Sequence, residues 1–139
     1  MEPRIHFVTL GVTDLACERA FYEKLGIAAS EKSNEHVVFF QMGSLVLSLY
    51  PRVHLAADAG VPAEGVGFRG FALAHNVAEK EHVARLLAQA EAAGGRIVKP
   101  AQDVFWGGHS GYFADPEGNL WEVAWNPGGK LTEDGGFEI

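Results

Sequence analysis

A single cysteine, Cys17, leaves this 139-residue chain without an internal disulfide. Apolar burial must therefore hold the core, and a cytoplasmic setting is expected. Cationic residues are scarce: eleven Lys and Arg stand against eighteen Asp and Glu, a net charge of −7. Such a surface repels phosphate backbones and anionic lipid, and no Lys/Arg run offsets it. Neither nucleic acid nor a membrane surface is an expected partner. Long apolar runs are missing too; nothing approaches the roughly 20 residues of a membrane-spanning helix. The opening residues 1–7 lack the apolar segment of a secretory signal. With 47% hydrophobic residues, a chain of this size can bury about two-thirds of its extended surface in one core. The expectation is one domain over residues 1–139.

What is there is a pattern used twice. Ile5 to Val12 is β-branched and aromatic, with Val8, Leu10 and Val12 on one face and Phe7, Thr9 and Gly11 on the other. Thr13 or Asp14 can cap a short helix bearing Leu15, Phe21, Tyr22 and Leu25, which Gly26 stops. Strands are expected from Val37 to Phe40 and from Leu45 to Tyr50, followed by a connection with a short helical stretch up to Phe68. The order then repeats. Phe71 to His75 is strand-like, Asn76 and Glu79 form a possible capping box, and Val83, Leu86, Leu87 and Ala90 keep helical spacing to Gly94. Arg96 to Val98 is extended as far as Pro100. Gly111 to Ala114 and Leu120 to Asn126 form a strand pair around the Asp115-Pro116-Glu117-Gly118 turn. Module 1 covers about 5–50 and module 2 about 70–127, with an acidic, Gly-rich tail over 128–139 in which Asp134 to Glu138 is expected to be mobile. Gly65, Gly67 and Gly70 spell GxGxxG, but they precede a strand and present no helix N-terminus to a pyrophosphate. Cys17 is expected to be a packed small side chain.

Two stretches carry a resemblance. Val8-Thr9-Leu10-Gly11-Val12-Thr13-Asp14-Leu15 with Ala20-Phe21-Tyr22-Glu23-Lys24-Leu25-Gly26, and Asp115-Pro116-Glu117-Gly118-Asn119-Leu120-Trp121-Glu122, resemble the vicinal oxygen chelate superfamily. That superfamily comprises glyoxalases, bleomycin resistance proteins and extradiol dioxygenases. The resemblance implies an α+β fold of two βαβββ modules forming a curved mixed-sheet half-barrel around a small-molecule cup, in a homodimer. In metal-using members four positions, on the first and last strands of each module, hold one divalent ion. Alternation places Phe7, Ser48, Gly70 and Glu122 at those positions. Only the last is a good ligand, so no metal cofactor is expected.

Glu122 is then an inward carboxylate and the candidate general acid or base. Ser48 and Tyr50 face the same cup. The run Phe105-Trp106-Gly107-Gly108-His109-Ser110-Gly111-Tyr112 supplies glycines for close backbone approach, and Trp106, His109 and Tyr112 for stacking and hydrogen bonding to a ligand. The expected function is binding of a small, aromatic molecule without metal. Two alternatives stay open. One is a metal-dependent lyase, isomerase or dioxygenase using His6, His109 and Glu122, which a one-residue slip in register would bring to one face. The other is a cofactor-free enzyme using Glu122.

Overall fold

The β-branched start of the chain forms β1 (Phe7–Val12), and Asp14 begins α1 (Leu15–Lys24) by accepting a 2.9 Å hydrogen bond from the Cys17 amide. In this computed structural model, which describes residues 5–138, the chain divides into two compact units, Met1–Arg69 and Gly70–Ile139. The first unit continues through β2 (Val38–Met42), β3 (Leu45–Pro51) and α2 (Arg52–Ala59). Gly43, at φ +62°, makes the tight turn between β2 and β3. The sheet runs β1-β3-β2, with β1 parallel and β2 antiparallel to β3. Leu10, Val12, Phe40, Leu47 and Leu49 are buried, as are Phe21 and Tyr22 of α1, whose Tyr22 ring lies 5.4 Å from that of Phe40. Each such side chain stabilises the unit by about 1.5–3 kcal/mol through removal from water. Where the βαβββ pattern has a further strand, the described chain has one bridge, Ala29 to Phe40. The helical stretch expected before Phe68 is α2. It crosses the sheet at Gly11, where a β-carbon would stand 3.3 Å from Arg52 and Leu55.

The second unit comprises β4 (Leu73–Asn76), α3 (Lys80–Ala93), β5 (Arg96–Asp103), β6 (His109–Ala114) and β7 (Leu120–Trp125). A hairpin of β8 (Lys130–Leu131) and β9 (Phe137–Glu138) follows. The main sheet runs β4-β7-β6-β5, with β4 parallel to β7. Val83, Leu87, Ala90 and Ala93 of α3 are buried. Leu87 reaches Gly111, whose missing β-carbon would lie 2.6 Å from the leucine methyl. Helices with open mixed sheets make this an α+β protein. Among the described residues no helix is long and apolar enough to cross a membrane.

Four expectations are corrected here. The strand placed over 71–75 lies at Leu73–Asn76, so Gly70 falls outside it in a φ +79° turn and Phe71 is exposed. Asn76 pairs with Ala124 and the Val77 amide donates to the Ala124 carbonyl, which keeps Asn76 extended. The capping box therefore does not form, and Glu79 is the N-cap without a side-chain bond. Pro100 does not end its strand, because β5 is the sheet edge and a residue without an N–H is tolerated there. Cys17, expected to be packed, is exposed on α1.

Candidate functional site

Strand alternation decides which side chains can meet a ligand. In β7, Trp121 and Val123 are buried toward α3, Trp121 stacking on Phe113 at 6.0 Å, as their spacing predicts. Glu122 and Ala124 therefore lie on the other face. Direct antiparallel partners share a face, so Tyr112, opposite Glu122, joins it there, as does Ser110 opposite Ala124. The Tyr112 phenol donates a hydrogen bond to the Glu122 carboxylate. Burial, then the negative charge of Glu122, then that bond raise the Tyr112 phenol above its ordinary range. On the far side of Glu122 stands Ala74, whose methyl group offers no donor.

Lys99 completes this face and was missing from the sequence-based candidates. Simple alternation would send Lys99 to the same side as Ile97, toward α3. Instead Ile97 pairs with Phe113 while Lys99 pairs with Tyr112, because Val98 is an extra residue in a β-bulge. The bulge turns the Lys99 ammonium over the Tyr112 ring, 5.9 Å from its centroid. The signal was the adjacent Pro100, a residue that strands accommodate at edges and bulges.

His109 goes the other way. It lies opposite Trp125, on the α3 face, and its Nδ1 is 2.7 Å from the Asp103 carboxylate, which also accepts from Lys80 Nζ at 2.6 Å. Lys80 first and His109 second hold the Asp103 carboxyl below its usual range. His109 and Glu122 thus occupy opposite faces of one sheet and cannot share an ion. Trp106, at the β5–β6 tip, folds back over Gly108, and its neighbour Phe105 is fully exposed.

In the first unit, Phe7, Ser48 and Tyr50 occupy the face away from the Leu10–Leu47 core, as alternation predicts. Phe7 meets Phe39 edge-on at 6.3 Å, and Tyr50 lies 6.2 Å from His54. The Ser48 and Thr9 hydroxyls share a 2.6 Å hydrogen bond. His6 precedes β1 and is exposed; its carbonyl accepts from the Val46 amide. Gly70, outside the sheet, contributes nothing to either face. Glu18 is a buried acid that the sequence reading overlooked, although its spacing before Phe21 and Tyr22 puts it on the buried stripe of α1.

The donor chemistry does not suit a divalent ion. The positions implied for ligands supply a benzyl group, a hydroxyl already bonded to Thr9, a backbone turn, and one carboxylate bonded to a phenol. Among the described residues no three His, Cys, Asp or Glu side chains form a metal-binding group.

Residues 4–123 match the profile of the Glyoxalase/Bleomycin resistance protein/Dioxygenase superfamily. No curated protein matches the chain. Among solved structures, a glyoxalase-related enzyme from Fulvimarina pelagi is 37% identical with a TM-score of 0.88, over 99% of this chain and 98% of that one. A glyoxalase/bleomycin resistance protein/dioxygenase from Nocardioides is 26% identical, TM-score 0.74, over 96% and 90%. The lactoylglutathione lyase of Agrobacterium tumefaciens is also 26% identical, TM-score 0.68, over 91% and 96%. Because the profile spans most of the sequence and a 37%-identical relative aligns nearly end to end, the chain belongs to the Glyoxalase/Bleomycin resistance protein/Dioxygenase superfamily.

Proposed function

We propose that this chain binds a small, flat aromatic molecule and does so without a divalent ion. The observation that carries this reading is the Tyr112–Glu122 pair on the sheet face away from α3. It offers a ring to stack on and a carboxylate to accept a hydrogen bond from a ligand. Further support comes from the first unit, where Phe7 and Phe39 present an aromatic pair. The donor set supports the metal-free half of the reading, since hydrocarbon has no electron pair to coordinate an ion. We also propose a homodimer in the cytoplasm. Light scattering should then give twice the 15.0 kDa of one chain.

The test is elemental analysis of freshly purified protein followed by a thermal-shift screen of aromatic compounds. Less than one equivalent of metal per chain is expected. A true ligand should raise stability by about 2.7 kcal/mol at a hundredfold excess over its dissociation constant. Stoichiometric metal that Glu122→Gln removes would overturn the proposal.

A second reading makes the protein a cofactor-free enzyme with Glu122 as general base. The Tyr112 hydrogen bond favours it by orienting the carboxylate. Turnover of a bound compound that Glu122→Ala abolishes, with binding retained, would establish catalysis; binding with no turnover would leave a binding protein.

A further inference from the structure

Lys99 lies on the Tyr112–Glu122 face, and its surroundings differ from those of Arg19 and Lys80. Arg19 pairs with Glu23 at 2.9 Å and Lys80 with Asp103 at 2.6 Å. Among the described residues no carboxylate lies within ion-pair distance of Lys99. Its ammonium is instead held over the Tyr112 ring, and a β-bulge at Val98 is what puts it there. Across the sheet the order is Lys99, Tyr112, Glu122. With strands about 4.8 Å apart, the positions of cation and carboxylate are separated by about 10 Å with the phenol ring between.

We propose that Lys99 is the specificity-determining anchor of the ligand's acidic group, so that the preferred ligand class is an aromatic anion such as a carboxylate or sulfonate. The inference rests on the aromatic-binding role proposed above. A flat ring stacked beside Tyr112 can place a negative group at Lys99, while Glu122 at the opposite end accepts from a hydroxyl or amine. A neutral aromatic can use the apolar contact but not the ammonium. A ligand carrying its anion at the Glu122 end meets a like charge, so the face has a direction as well as a preference.

The experiment compares two fluorescent probes of nearly the same shape. One is 1-anilinonaphthalene-8-sulfonate; the other is N-phenyl-1-naphthylamine, which lacks the sulfonate. Each is titrated into the full chain and into Lys99→Met and Lys99→Arg, with circular dichroism confirming that every variant is folded. The unsubstituted protein is expected to prefer the sulfonate. Lys99→Met should weaken sulfonate binding by roughly tenfold, the scale of one charge-assisted hydrogen bond, and leave the neutral probe unchanged. Lys99→Arg should restore the preference. Unchanged sulfonate affinity in Lys99→Met, or equal weakening of both probes, would overturn the anchor while leaving the aromatic-binding role standing. Failure of both probes to bind the unsubstituted protein would overturn that role and the anchor with it.

Discussion

Gly111 sits between α3 and the β5 bulge with no room for a larger side chain. An added β-carbon would stand 2.6 Å from a Leu87 methyl and 2.8 Å from the Lys99 carbonyl. The methyl can move; the carbonyl belongs to the strand that carries Lys99. Gly111→Ala should therefore destabilise the protein by about 1–3 kcal/mol in urea unfolding, the usual range for overpacking. Tyr112 makes a different prediction. A phenol whose ionisation is pushed upward in the fold contributes stability that is fully present below the unfolded value of about 10. That contribution is lost as pH rises through the folded value, because the unfolded chain then releases the proton first. Denaturant melts of the unsubstituted protein above about pH 10 should show this decline, and Tyr112→Phe should lack that part of it. The Tyr112–Glu122 pairing was half legible beforehand. Alternation put Glu122 opposite the buried Trp121 and Val123, but its tyrosine partner depends on strand register, which alternation alone does not specify.

At the level of elements, the helices were the most readable parts. Asp14 caps α1 through the Cys17 amide, so Asp14→Ala should cost about 1 kcal/mol, measured by thermal unfolding. The i, i+3, i+4, i+7 spacing of Val83, Leu86, Leu87 and Ala90 identified the packing face of α3, where Leu87 is 2% exposed. Leu87→Ala should cost about 2–5 kcal/mol by the same measurement, through lost burial and the cavity left at Gly111. Strand boundaries were less readable. Asn76 has the composition of a cap, yet pairing with Ala124 draws it into β4, since sheet hydrogen bonding here outweighs a local capping preference. The bulge in β5 was also hidden. Two-residue periodicity assigns Lys99 to the α3 side, and only the pairings of Ile97 with Phe113 and Lys99 with Tyr112 reverse that assignment. His109 was misplaced for a related reason: it was grouped with Tyr112 by sequence, but the two are an odd number of residues apart on one strand and face opposite ways.

For the whole molecule, the acidic surface and the poor donor set lead to one shared expectation. Prolonged EDTA treatment should leave the thermal unfolding midpoint unchanged, because no ion contributes to the folded state in the proposed reading. A drop of several degrees, reversed by adding back one metal, would contradict it. The motifs over residues 8–15, 20–26 and 115–122, set in a repeated strand–helix order, were enough to point to an α+β member of this superfamily, and the resemblance implied four ligand positions of which three hold no good ligand. Those properties are local or additive, so they survive in the linear chain. The face taken by Lys99, the Asp103 partner of His109, and the exclusion of Gly70 from the sheet became definite only on folding. Each depends on where strands begin and which residues oppose one another, and for Lys99 a single extra residue at Val98 is enough to reverse the outcome.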